Sequence, residues 1–199
     1  RWGFFPSVSL GWRLSEENFM DFYKEKVGDL KLRTSFGILG SQAIGTYDRF
    51  TTYTVYDNNY AYGNSVVSGT GFALGLNDLT WEKTKTFNIG VDASFFKNQL
   101  NVTFDYFYKR TTDILMKPIV PTVFGTDMPM DNIGEMQNQG WEIGINYNVR
   151  TGQVQHGFSF NLSDSYNKVL TYPGHEQITK VNELERIIRE GVPLNSYYG

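Results

Sequence analysis

Between Thr80 and Tyr108 the chain alternates apolar and polar side chains, and this constrains its fold more than any other stretch. Phe87, Ile89, Val91, Ala93 and Phe95 share one face, and Thr84, Thr86, Asn88, Gly90, Asp92 and Ser94 share the other. A period of two belongs to a strand and not to a helix. After Phe96-Lys97-Asn98-Gln99 the pattern resumes, with Leu100, Val102, Phe104, Tyr106 and Tyr108 apolar against Asn101, Thr103, Asp105 and Lys109. A two-residue turn at Lys97-Asn98 pairs Phe95 with Leu100, Val91 with Phe104 and Phe87 with Tyr108. The apolar faces then coincide, so turn and pattern agree on one register.

The same period recurs along the chain and predicts about six strands, at residues 7–14, 30–40, 79–96, 99–110, 140–150 and 157–169. Their connections run short, long, short, long, short, long. The segment 41–78 loses alternation and carries Tyr47, Tyr53, Tyr56, Tyr60 and Tyr62, and the segment 111–139 carries Pro118, Pro121, Gly125 and Pro129. Phe19, Met20, Phe22 and Tyr23 predict one or two helical turns after the first strand. Ile178, Val181, Leu184 and Ile188, at near-helical spacing before Gly191, predict a short helix in the last loop. Loops sorted by length onto two ends describe an all-β, up-and-down antiparallel transmembrane barrel with long extracellular loops and short periplasmic turns. Phe87 to Phe95 spans roughly 26 Å along a strand, or about 20 Å of height when tilted, against an apolar band about 25 Å tall in such barrels.

Composition agrees with this architecture and removes other classes. Aromatic residues make up 16% of the 199, Gly contributes 20 and there is no Cys, which excludes a disulfide framework and thiolate metal sites. A net charge of -3 and no Lys/Arg cluster argue against nucleic acid as a partner. No apolar run reaches 18 residues, and the mean hydropathy is negative. Barrel strands show lipid only every second side chain, so neither fact excludes them. The opening Arg1-Trp2-Gly3 and the closing Tyr197-Tyr198-Gly199 give the expectation of a fragment of a longer protein.

Several segments resemble the SusC/RagA-like TonB-dependent transporters of the Bacteroidota outer membrane. They are RWGFFPSVSLGWRLSEE at the start, LKLRTSFGILGSQAIGTY from Leu30, LTWEKTKTFNIGVDASFFKNQLNVTFDYFYKRTTDIL from Leu79, NIGEMQNQGWEIGINY from Asn132 and IREGVPLNSYYG at the end. They cover most of the chain. The resemblance implies a large barrel of which 1–199 is a barrel-domain fragment, with the plug, its TonB box and the C-terminal strands expected outside it. It also implies a SusD-like surface lipoprotein as lid, TonB coupling through the plug, and a bulky oligosaccharide or peptide as substrate. Two other readings share the strands. One is a passive porin or adhesin barrel; the other is a soluble all-β carbohydrate-binding or hydrolytic domain, which would bury Ile89, Val91 and Phe104 against a second sheet.

Candidate residues divide by face. Arg33, Glu82, Asp92, Asp105, Lys109 and Glu142 lie on the polar face, where mixed charge suits a water-filled lumen or a plug contact. Hydrolysis needs two carboxylates flanking a cleft, and no nucleophile motif accompanies these acids, so the reading is not an enzyme. The five loop tyrosines are candidate contacts for substrate or lipoprotein. On the apolar face, above the membrane band, Lys83, Lys85 and Arg110 are candidate contacts for lipid headgroups, because Lys85 opposite Arg110 calls for an anion between them. Trp12, Trp81, Trp141, Tyr106, Tyr108 and Tyr147 are read as an interface girdle. His156 and His175 lack partners at ligand spacing, and no cofactor is evident. Asp127 and Asp131 could hold Ca²⁺ in an extracellular loop but read more simply as solvated turn residues.

Overall fold

The computed structural model describes residues 2–42, 45, 50–76, 78–118, 120–125, 128–174, 176–181 and 184–198. In chain order the elements are β1 (Ser7–Arg13), α1 (Asp21–Lys26), β2 (Leu30–Ser41), β3 (Thr52–Tyr62), β4 (Ser65–Ala73), β5 (Glu82–Phe95), β6 (Leu100–Met116), β7 (Asp131–Thr151), β8 (Val154–Thr171), β9 (Glu176–Val181), β10 (Leu184–Arg189) and β11 (Ser196–Tyr197). Six strands bond in the order β1-β2-β5-β6-β7-β8, each antiparallel to its neighbour. β3 pairs with β4 alone, and β9 to β11 form a separate three-stranded sheet.

The central hairpin has the register that its pattern requires. Phe95 pairs with Leu100, Val91 with Phe104, Phe87 with Tyr108 and Lys85 with Arg110. Lys97 and Asn98 turn at φ of 56° and 67°, the left-handed conformation that a tight hairpin demands at both central residues. The Gln99 N–H donates to the Phe96 carbonyl across this turn at 3.3 Å.

Along the central hairpin, burial does not follow the pattern of a water-soluble sheet. Phe87, Ile89 and Phe104 are 41%, 45% and 40% exposed, whereas Gly90 and Ser94 on the opposite face are buried. Among the described residues no second sheet covers these side chains as a soluble domain would require. Among the described residues the buried apolar core is small: Leu79, Val169, Tyr172 and Ile187. Three of these gather where β10 meets the end of β8. There the Gly191 N–H donates to the Val169 carbonyl at 2.8 Å, and the Val169 N–H donates to the Val192 carbonyl at 3.0 Å. Burial pushes the Tyr172 phenol above its ordinary pKa, and its hydroxyl donates to Gln177.

Three sequence expectations are corrected. The stretch 41–78 is not without structure, because β3 and β4 form a hairpin around Gly63-Asn64, with Gly63 at φ 62°. A register shift between Tyr56 and Tyr60 breaks its alternation, and its largely exposed faces remove the contrast that alternation records. The connection 111–139 shrinks to 117–130, since β6 runs on to Met116 and β7 begins at Asp131. An irregularity between Thr111 and Ile114, with Asp113 at φ 59°, disguises the extension. The helix expected over residues 176–190 is instead the β9–β10 hairpin, with Ile187 opposite Ile178 and Leu184 opposite Val181. Its β-branched residues suit a strand once a pairing partner is present. The helical turns after β1 are there: 3₁₀ turns at Leu14–Glu16 and Asn18–Met20 lead into α1.

Strand length sets the scale of the sheet. The 21 residues of β7 extend roughly 70 Å, or about 50 Å of height at a tilt near 40°, so β7 outruns an apolar band about 25 Å tall. Its far end is pinned by Asn132, whose Oδ1 accepts the Thr80 N–H at 2.7 Å. The Asn132 Nδ2 donates to the carbonyls of Thr80 at 3.0 Å and Asp113 at 2.7 Å. One amide thereby holds the chain entering β5 and the irregular segment of β6 to β7. Asn132→Ala is expected to lower stability by about 1 to 2 kcal/mol, read as a fall in the thermal midpoint of the purified protein. An unchanged midpoint would show that water replaces all three bonds.

Candidate functional site

The polar face of the six-stranded sheet gathers charge because register aligns it. One row reads Arg33, Gly90, Asp105, Glu142 and Ser163 across β2, β5, β6, β7 and β8. Arg33 Nε and Nη2 donate to the two Asp92 carboxylate oxygens at 2.8 Å each, and Nη2 also donates to Asp105 Oδ2 at 3.0 Å. The guanidinium therefore crosses β5 to reach a strand that is not its neighbour. Gly90 leaves the gap it uses. A Cβ there would stand 2.3 Å from Asp105 Oδ1 and 2.9 Å from Arg33 Nη2. The side chains of Arg33 and Asp105 remain 37% and 36% exposed, so water and salt screen the pair and its contribution is modest.

Beside this triad the surface is concave. A hollow of about 750 Å³ is lined by Ser35, Asn88, Asp105, Phe107, Lys109 and Glu142, among others. Asp105 lies directly opposite Glu142, and two like charges in that position repel. Arg33 offsets one of them. Glu142 is exposed, and among the described residues no cation pairs with it. The Lys109 ammonium stands 5.5 Å from the centre of the Phe107 ring, on the same face. Phe107 was not singled out from the sequence, although its odd position in β6 puts it among the polar residues. Gly140 opposite gives its ring room. Glu82 differs from the other five polar-face candidates. Its Oε1 accepts the Leu115 N–H at 2.9 Å, a bond that steadies β6 beyond its irregular segment.

The tyrosine candidates form a second group. Tyr56, Tyr60 and Tyr62 share one face of the β3–β4 hairpin, and Tyr53 lies on the other, opposite Phe72. The Tyr60 ring lies across Gly69 and the Tyr56 ring across Gly71, where an added Cβ would meet ring carbons at 2.0 and 2.7 Å. Those two tyrosines pack on their own hairpin and still show about half of their surface, while Tyr53 and Tyr62 are 72% and 83% exposed. Tyr47 lies outside the described residues.

On the apolar face the charged candidates are largely paired from within. Lys83 Nζ lies 3.3 Å from Asp113 Oδ2, and Arg110 Nε donates to Glu135. The anion that Arg110 requires is thus a protein carboxylate. Of the expected girdle, Tyr108 and Trp141 stand on the outer face of β6 and β7, whereas Trp81 precedes β5 and meets Phe5 edge-on at 5.6 Å. Asp131 begins β7, and its Oδ1 accepts the Asn132 N–H. Asp127 and His175 lie outside the described residues. His156 is exposed near the β7–β8 turn, and among the described residues no three His, Asp or Glu side chains gather at metal-binding distance.

Comparison with known proteins bears on all of this. The family described as TonB dependent receptor-like, beta-barrel, matches residues 1–196. TonB-dependent receptor P39 of Formosa agariphila is 37% identical over 199 residues, covering all of this chain and 18% of that protein. TonB-dependent receptor SusC of Bacteroides thetaiotaomicron is 34% identical over 180 residues, covering 87% of this chain and 18% of SusC. The chain therefore spans about a fifth of the length of these relatives. The structure of the RagAB peptide importer in its closed-closed state superposes with a TM-score of 0.80, covering 97% of this chain and 21% of that one at 23% identity. This last likeness is one of fold.

The Arg33 bridge can be tested through its glycine. Gly90→Ala is expected to cost about 1 kcal/mol of stability, and Arg33→Met should cost less in that background than in the unaltered protein. Thermal midpoints of the four proteins in the cycle measure the coupling; strictly additive losses would show that the guanidinium does not use the gap.

Proposed function

The chain belongs to the TonB-dependent receptor-like β-barrel family and is part of an outer-membrane β-barrel, and from that premise we propose that it walls the conduit of an importer for a bulky nutrient. The observation that carries the reading is the sorting of side chains by register, with Phe87, Ile89 and Phe104 exposed on one face and Arg33, Asp92, Asp105, Lys109 and Glu142 on the other. In this reading the apolar face meets lipid and the polar face meets an aqueous lumen. The lumen wall contacts either the plug or the passing substrate. Glu142, charged and unpaired among the described residues, offers a contact for a cationic or hydroxyl-bearing group.

The substrate class is an oligosaccharide or a peptide. RagAB is a peptide importer by name, and the fold likeness makes that class a candidate for this chain too. Tyr53, Tyr56, Tyr60 and Tyr62 supply ring faces and hydroxyls suited to sugar rings or peptide side chains, or to a SusD-like lipoprotein closing over the loops. TonB supplies the work through a plug outside this stretch, and the reading assigns no covalent step.

Uptake by cells carrying the full-length protein tests the proposal. Import of labelled oligosaccharide or peptide should collapse to background when TonB is removed, and should fall several-fold when Tyr56, Tyr60 and Tyr62 are replaced by Ala with barrel assembly intact. Uptake that persists without TonB would instead mark a passive porin.

A further inference from the structure

On the outer face of the sheet, cations begin just past a single hydrogen-bonded row, and the acid Asp164 lies one row to its other side. Phe87, Tyr108, Gln139 and Tyr166 stand side by side across β5, β6, β7 and β8. The next row toward the long connections reads Lys85, Arg110, Gln137 and Lys168. Three of its four side chains are cationic. Lys168 has the same parity as Leu162 and Tyr166, so it faces outward with them. Lys168 thus joins Lys83, Lys85 and Arg110, the cations that strand periodicity alone places at the headgroups.

Charge within the protein covers only part of this cluster. Glu135 takes Arg110, and Asp113 takes Lys83 one row further out. Among the described residues neither Lys85 nor Lys168 has a carboxylate partner. Lys85 sits directly opposite Arg110, whose charge Glu135 offsets while leaving Lys85 without a carboxylate of its own. Two free ammonium groups flank the Arg110 and Gln137 positions, immediately above a row of exposed rings.

We propose that Lys85 and Lys168, which flank the Glu135-paired Arg110, bind the phosphate groups of outer-leaflet lipopolysaccharide. The long connections define the extracellular end, so these cations stand at the outer leaflet. The acyl chains of such a lipid continue over the exposed Phe87 and Tyr166, which a soluble phosphate could not exploit. Strands about 4.8 Å apart and tilted near 40° spread the row over roughly 9 Å of height. Lysine stems take up that spread by reaching toward the headgroups. The proposal rests on the outer-membrane location and not on what the barrel imports.

The test uses full-length protein in nanodiscs of phosphatidylcholine mixed with lipopolysaccharide, with lipid retained per barrel counted by mass spectrometry after washing. The unaltered protein should enrich lipopolysaccharide over phosphatidylcholine and lose that preference when the lipopolysaccharide is dephosphorylated. Lys85→Gln with Lys168→Gln should reduce retention about fivefold or more, whereas Lys85→Arg with Lys168→Arg should keep it. Lys83→Gln, which removes an already paired charge, should change little. Equal retention of phosphorylated and dephosphorylated lipid by the unaltered protein would overturn the proposal without any variant. Displacement by millimolar inorganic phosphate as effective as by lipopolysaccharide would overturn the lipid as its source. Import of nutrient is not read in this assay, so failure here and failure of the import reading are told apart.

Discussion

Everything in the main sheet depends on register. With side chains alternating at a period of two, a one-residue slip of β5 against its neighbours would carry Phe87, Ile89 and Val91 to the polar face and expose Asp92 and Asn88 to lipid. The protein guards against that slip at several points. The Lys97-Asn98 turn fixes β5 against β6 by its length, the Arg33 guanidinium ties β2 to β5 and β6 by charge, and the Asn132 amide closes the opposite end by mimicking a strand's hydrogen bonds. These devices use different chemistry, and each guards the strands that it joins.

The charged residues on the polar face follow from the same constraint. A membrane-facing sheet excludes ionised groups from its outer band, so polar side chains within that band collect on the lumen side. Arg33 there satisfies two aspartates at once, which leaves Glu142 as the group whose charge is directed into the hollow. On the outer side, cations appear past the ring of Phe87, Tyr108 and Tyr166, where headgroups replace acyl chains, while the acid Asp164 stands one row inside it, opposite Trp141. Position along the strand, and not residue type alone, decides whether a charge is tolerated.

Much of this was legible in the chain because lipid and water give the two faces of each strand opposite demands. The central hairpin was readable to the residue pair, and Arg33, Asp92 and Asp105 were assigned to one face. Their union was not, since it needs β2 beside β5 with β3 and β4 looped out, and a glycine at position 90 to let the guanidinium pass. The β3–β4 hairpin escaped notice because its largely exposed faces lack contrast, although Gly63-Asn64 between β-rich runs is a hairpin signal. Residues 178, 181, 184 and 188 imitate a helix by spacing alone, while their β-branched neighbours Thr179 and Ile187 point to strands. Asn132 carried no local signal, as its partners at positions 80 and 113 are distant in sequence.

The excess length of β7 and β8 beyond the bilayer gives the sheet a parapet. On the outer face of β7 the side chains change from Trp141 and Ile143 to Gln139, Gln137 and Glu135, so this extension is built to stand in water. With about 25 Å of strand above the apolar band, the long connections are carried well clear of the membrane surface. In the importer proposed above, a large solute arriving from outside would enter a walled antechamber before it reached membrane depth. Its search for the conduit would become a confined descent along one wall instead of diffusion over an open plane.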